Sequence, residues 1–120
     1  MTAADLMLRN PKTLTGNASV AEVRDQLANP KVQMVLLADG EVFRGAVRAI
    51  PDEAAPADLA LDYAVDEPET LPPDASADEA FERAAANPHR RVIVLDVDDN
   101  LLGLLCLNQN RTGFCQTQRG

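Results

Sequence analysis

The chain repeats itself, and the repeat limits what it can fold into. Pro11-Lys12-Thr13-Leu14-Thr15-Gly16-Asn17-Ala18-Ser19 returns as Pro68-Glu69-Thr70-Leu71-Pro72-Pro73-Asp74-Ala75-Ser76, an offset of 68 − 11 = 57. Glu22 returns as Glu79 at the same spacing, and Asn29-Pro30 returns as Asn87-Pro88 at 87 − 29 = 58. The echo then runs through two apolar stretches, Met34 to Leu37 and Val92 to Leu95, and two glycines, Gly45 and Gly103. The change of spacing at the Asn-Pro pair predicts one residue inserted near the end of a helix. A period of this length marks one supersecondary unit used repeatedly, each copy needing a neighbour to cover its apolar face. Two copies in 120 residues take up nearly the whole chain.

Each copy reads as strand, helix and hairpin. Ser19-Val20-Ala21-Glu22 and Ser76-Ala77-Asp78-Glu79 both fit a capping box, in which serine and glutamate satisfy each other's backbone N–H. The first helix carries a stripe of Val20, Val23 and Leu27; the second carries Ala77, Ala80, Phe81 and Ala84, a shallower face with one large knob. Both should stop near Asn-Pro, since the residue before a proline is pushed out of helical geometry. Val32 to Leu37 and Val92 to Leu95 suit strands buried on both faces. Asp39-Gly40 and Asp98-Asp99-Asn100 are turn signals leading to partner strands Val42 to Val47 and Leu101 to Leu107. Thr13-Leu14 and Thr70-Leu71 are short strands ahead of each helix. Between the copies, Pro56 can open a helix through Asp58, Leu59, Leu61, Asp62 and Tyr63. No matching final helix is evident in the second copy, where Asn108 to Gly113 is turn chemistry. The expected division is 1–58 and 59–120.

Charge excludes some functions. The net charge is −8, and Ala49 to Glu82 holds eleven of the acids with no Lys or Arg. Such a chain repels a phosphate backbone, so nucleic acid is not an expected partner. Met1-Thr2-Ala3-Ala4-Asp5 lacks the basic and apolar regions of a secretory signal, and no apolar run reaches the ~20 residues of a membrane helix. The expectation is a cytoplasmic protein, with Cys106 and Cys115 as thiols. No Ser-His-Asp set, glycine-rich phosphate loop, HExxH or CxxC is present, so no catalysis is expected. Two cysteines nine residues apart and one histidine do not make a zinc site, and no metal is expected.

A Pro-x-Thr opening, capped helix, apolar strand, hairpin and glycine-led last strand, present twice, resemble the cystathionine-β-synthase (CBS) domain. The tandem resembles a CBS pair, or Bateman module, across Leu6 to Leu107, with Leu6 to Pro11 similar to the lead-in before a first repeat. The resemblance implies an α+β fold of two β-α-β-β-α repeats, packed sheet to sheet with approximate two-fold symmetry, the second lacking an obvious final helix. It implies a stand-alone regulatory module that binds AMP, ATP or S-adenosylmethionine between the repeats and acts through a homodimer or a separate partner.

The family's ligand signature, Gly-h-h-Thr/Ser-x-x-Asp, is altered in both copies. In Gly45-Ala46-Val47-Arg48-Ala49-Ile50-Pro51, Arg48 replaces the hydroxyl and Pro51 the carboxylate, with Asp52 one residue later. In Gly103-Leu104-Leu105-Cys106-Leu107-Asn108-Gln109, Cys106 and Gln109 make the same replacements. Losing the carboxylate that clamps the ribose forfeits ~1.5–3 kcal/mol, roughly ten- to a hundredfold in affinity. Ligand contacts carried over by the resemblance are Thr13, Leu14, Arg48, Asp52, Thr70, Leu71, Arg91, Cys106 and Asn108, the leucines through their backbone. His89-Arg90-Arg91 is a basic cluster that serves either as a solvated turn or as part of a site. Two further readings stand beside the sensor: a ligand-free dimerising scaffold using the alanines around Ala80, Ala84 and Ala85, and a thiol-responsive module pairing Cys106 with Cys115. Phe114 is expected to fold the tail onto the body.

Overall fold

The computed structural model describes residues 1–9, 11–30, 32, 34–108 and 113–114. The elements run α1 (Ala3–Leu6), β1 (Leu8–Arg9), β2 (Thr13–Leu14), α2 (Val20–Leu27), β3 (Val35–Asp39), β4 (Val42–Val47), a 3₁₀ helix (Ala60–Tyr63), β5 (Thr70–Leu71), α3 (Ala77–Ala86), β6 (Arg91–Leu95) and β7 (Leu101–Cys106). They form two compact units, each with its own sheet. One is Lys12–Glu67, with strand order β2-β3-β4; the other joins Met1–Pro11 to the chain from Pro68 on, with order β1-β7-β6-β5.

The two sheets share one register. Thr13 pairs in parallel with Leu36, and Thr70 with Ile93; each hairpin carries an irregularity at the same place, after Leu37 and after Val94. The spacing through the first inner strand is therefore still 57, since Leu36 corresponds to Ile93. It becomes 58 only across the hairpin, where Gly45 corresponds to Gly103. This corrects the expected insertion near a helix end. α3 runs longer than α2, but its link to the next strand is shorter, and the extra residue sits in the second hairpin.

That extra residue is accommodated by a different turn. In the first hairpin Gly40 opens a two-residue turn at φ 61, a left-handed conformation that glycine adopts without steric cost. In the second, Asp96 Oδ1 accepts from the Asp98 and Asn100 N–H groups at 2.8 and 3.0 Å, and Oδ2 accepts from Asn100 Nδ2. These bonds, the Asn100 N–H foremost, hold the Asp96 carboxyl below its ordinary value.

The compact units do not follow the division at 58/59, because each is completed by the lead-in of the other copy. Ala3 N donates to Ala75 O at 2.8 Å and Ala60 N donates to Ala18 O at 2.9 Å. Thr2 bridges Ser76 as Leu59 bridges Ser19. α1 and the 3₁₀ helix are the same element at the 57-residue spacing. The predicted linker helix is thus only the short 3₁₀ turn, preceded by turns from Pro51 onward. Proline at 51 and 56 and the branch to Ser19 leave no continuous run for an α-helix.

Two glycines make room for these lead-ins. A Cβ on Gly45 would meet Leu61 Cδ1 at 2.9 Å and Ala64 Cβ at 3.1 Å; one on Gly103 would collide with Met7 Sδ and lie 2.7 Å from the Leu8 carbonyl oxygen. The helices then cover one sheet face each. Val23 packs with Val35, Leu37 and Val47, and Leu27 lies partly buried against them. Ala80 and Ala84 pack with Val92, Val94, Leu105 and Leu107, with Phe114 folded onto this cluster as expected.

Phe81 does not fill that core; it is 39% exposed, whereas Ala80 and Ala84 are fully buried. One position along a helix turns a side chain by roughly 100°, so placing Ala80 inward aims Phe81 outward. This overturns the expected knob. It also removes Ala80 and Ala84 from any dimer-forming stripe, because the protein's own core occupies them. Both predicted N-caps form. The full capping box closes at α2, with Ser19 N donating to Glu22 Oε2 at 2.9 Å and Glu22 N to Ser19 Oγ at 3.2 Å. At α3 Ser76 Oγ accepts from Glu79 N at 3.1 Å, while the Glu79 carboxylate lies 3.7 Å from Arg83.

Candidate functional site

Pairing register decides which predicted residues meet. Strands β2 and β3 run parallel and β4 runs back, so the starts of β2 and β3 and the end of β4 share one end of the first sheet. Thr13 and Arg48 lie at that end. The corresponding end of the second sheet carries Thr70, Arg91, Cys106 and Asn108.

The faces separate them further. Directly paired strand residues project to the same side. Leu71 pairs with Val94 and is buried in the helix-side core of its unit, and Leu14 packs partly buried into the equivalent core. Their side chains are therefore structural. Thr70 pairs with Ile93, Ile93 with Leu104, and Arg91 with Cys106, all on the opposite face. Thr70, Arg91 and Cys106 thus occupy one side of one sheet end.

β5 is an edge strand, and its backbone is half used. The Glu69 carbonyl accepts from Ile93 N at 2.9 Å, so it points into the sheet. Successive carbonyls alternate in a strand, which turns the Thr70 N–H and C=O outward from the edge.

The basic cluster beside it is locked by the main chain. Arg90 adopts φ 55; its N–H donates to Asn87 O at 2.9 Å, and its carbonyl accepts from Leu107 N at 2.9 Å. Arg91 Nη1 donates to His89 O at 3.0 Å. Arg91 is half-buried, and the ion pairs among the described residues involve Arg44 and Arg83 rather than Arg91. Its charge is met by carbonyl oxygens on one side. Cys106, 6% exposed, faces it across the ladder. Asn108 N donates to Gly113 O at 2.9 Å, holding the chain just past β7. Cys115 and Gln109 lie outside the described residues, so the Cys106–Cys115 pair does too.

The first unit is built differently. Arg48 is exposed just past β4, and Asp52 is exposed. What anchors this stretch is Arg24 on α2. Its Nη2 donates to the carbonyls of Pro51, Asp52 and Ala54 at 2.8, 3.2 and 3.0 Å. Sequence reading gave Arg24 no role. The only signal available was a cation on the helix and an acidic, proline-rich linker from Pro51 to Pro56.

Residues 60–108 match the family model for the CBS domain. The match falls on the second repeat, which is similar to a CBS domain. No curated protein matches the chain. Among solved structures, CBSX2, a CBS-pair protein from Arabidopsis thaliana, is 19% identical over 88% of this chain and 87% of its own, with a TM-score of 0.70. A structure of CBSX2 in complex with AMP gives 0.71 at 19% identity over 92% and 91%. The CBS domains of a transcriptional regulator from Streptococcus pneumoniae give 0.71 at 15% identity over 87% and 91%. The CBS domain of a bacterial CNNM/CorC family Mg2+ transporter, solved with ATP, gives 0.67 at 14% identity over 89% and 82%. The chain as a whole has the mixed α and β fold of these CBS pairs. No described helix is long and apolar enough to cross a membrane, and no described cluster of His, Cys, Asp or Glu could hold a metal ion.

Proposed function

We propose that the chain is a regulatory, non-catalytic CBS pair that senses an adenine nucleotide and transmits its occupancy through self-association or a separate protein partner. The observation that carries this reading is the end of the second sheet. There Thr70 turns its backbone N–H and C=O outward from the sheet edge, while its side chain shares a face with Arg91 and Cys106. Adenine presents a donor and an acceptor side by side, which one extended residue can match. A half-buried guanidinium supplies the charge a phosphate needs. The solved CBS proteins with AMP and with ATP support the ligand class.

The same chemistry ranks the ligands. Without a ribose-clamping carboxylate, affinity must come from base and phosphate. AMP, ADP and ATP are then favoured over S-adenosylmethionine, whose sulfonium would face Arg91. The burial of Ala80 and Ala84 weakens the scaffold reading that relied on them. A thermal-shift panel of AMP, ADP, ATP, NAD and S-adenosylmethionine tests the proposal. A ligand at ~100 times its Kd adds about 2.7 kcal/mol, a midpoint rise of several degrees. The expected result is a rise with the anionic adenine compounds that is lost in Arg91→Ala. Flat curves for every compound would overturn the reading.

A further inference from the structure

The two lead-ins are copies of one element, and each completes the compact unit of the copy other than the one it precedes. Leu59 to Val65 completes the unit of the first copy, while Thr2 to Leu8 completes the unit of the second. In the second unit the lead-in is a seated segment with a defined groove. Ala3 N donates to Ala75 O at 2.8 Å, Ala4 N donates to Pro73 O at 3.1 Å, and Met1 O accepts from Ala77 N at 3.1 Å. β1 then adds to the free edge of β7 through Leu8 opposite Leu104 and Arg9 opposite Gly103. Ala3 is buried in the core of this unit, and Met7 lies over Gly103 in space that a Cβ would fill.

These attachments are main-chain bonds, three to the loop and first residue of α3 and the rest to the free edge of β7, where the segment adds as a strand. The segment is tied to the rest of the chain by very little. Only residues 10–12 lie between β1 and β2, with Pro11 among them, and β2 already belongs to the other unit. Every bond the lead-in makes in its groove would be made identically if the segment came from a second molecule.

We propose that Met1–Arg9 is an exchangeable segment and that its groove on the second unit docks the lead-in of a second copy, giving a segment-exchanged dimer. The occupant is set by the groove itself, which carries the Gly103 notch for Met7 and the paired acceptors Pro73 O and Ala75 O. Closed and exchanged forms share their contacts and differ in whether the segment is tethered to its groove, so their balance follows concentration. This inference is independent of the ligand reading.

The test uses the full chain with Cys106 and Cys115 replaced by alanine, in two single-cysteine variants, Thr2→Cys isotope-labelled and Ser76→Cys unlabelled. Directly facing residues in an antiparallel bridge lie at about 4.5–5.5 Å between Cα atoms, within disulfide range. Mixed, concentrated and oxidised, they should yield a linkage between positions 2 and 76 joining labelled to unlabelled chains, rising with concentration. Leu8→Cys with Leu104→Cys, directly opposite in the β1–β7 ladder, forms a second such pair, and light scattering on the unmodified chain gives its mass. Concentration-dependent dimer mass with either linkage between chains is the expected outcome. A monomer mass at every concentration overturns the proposal. So does a dimer in which neither linkage joins two chains, because that dimer uses another surface.

Discussion

Replacing Gly103 with alanine should be the most damaging single-methyl change in this protein. The new Cβ would sit 2.6 Å from Met7 Cγ, closer still to its sulfur, and 2.7 Å from the Leu8 carbonyl oxygen. Methionine can rotate away, but the carbonyl is part of β1 and cannot retreat without leaving β7. Overpacking of this kind costs about 1–3 kcal/mol, and displacement of β1 places Gly103→Ala toward the upper end. Gly45→Ala meets only the end of Leu61 and the Ala64 methyl, at 2.9 and 3.1 Å, so it should fall near the lower end. With an unfolding entropy of roughly 2.1 cal/mol/K per residue, 2 kcal/mol lowers the midpoint of this chain by about 8 °C. Differential scanning calorimetry on both variants and on Gly103→Ala with Met7→Ala separates the causes. The double variant should recover only part of the loss, since the carbonyl contact remains. A midpoint for Gly103→Ala within a degree of the parent, or no lower than that of Gly45→Ala, would refute the argument.

Arg24→Met should loosen the stretch after β4, costing about 1–2 kcal/mol in urea unfolding because three carbonyls lose a charged donor. Limited proteolysis should shift to residues 51–56, and Arg24→Lys should recover part of the loss. Ser19→Ala and Ser76→Ala should each cost about 1 kcal/mol, Ser19 more because its box is closed on both sides; equal urea midpoints for the two would count against the reciprocal bond. The single tyrosine offers a titration free of overlap: its hydroxyl donates to Asp58 Oδ2 at 3.1 Å, which raises its pKa above 10.0. Because the folded value is raised, that stabilisation is present below pH 10.0 and is lost as pH rises through the folded value. Ultraviolet absorbance should show the elevated midpoint and its return in Asp58→Ala. For Asp96 the sign is opposite. Its depressed folded pKa contributes stability above its ordinary 3.8 that disappears as pH falls through the folded value, so the melting difference between parent and Asp96→Ala should shrink in acid.

The fold was legible because its strongest signals were local and doubled. Two serine caps, two apolar strands and two short Thr-Leu strands form where they were read, although β3 starts three residues after Val32 and the reciprocal glutamate bond closes only at α2. What stayed hidden depends on partners distant in sequence. The echo of Ala3 in Ala60 and Asp5 in Asp62 is visible at the same spacing, yet nothing local says that each lead-in crosses to the other copy. Phe81 read as part of the inward face because it shares helical spacing with Ala77 and Ala84, whereas the burial of Ala80 and Ala84 decided the opposite. The hairpin insertion was misplaced because Asn-Pro is a conspicuous landmark, and a longer α3 offset by a shorter link moves the landmark without moving the strands. At the candidate site, Thr70, Arg91 and Cys106 were each named from the sequence. Their common face could be known only from register, and Arg24 only from the carbonyls it gathers.

The measurement that bears most directly on the central claim is a backbone amide NMR titration of the reduced protein with ATP. The account predicts saturable shifts concentrated at Thr70, Arg91, Cys106 and Asn108, with the same titration on Arg91→Ala nearly silent. Saturable shifts confined elsewhere, or none at millimolar ATP, would contradict it.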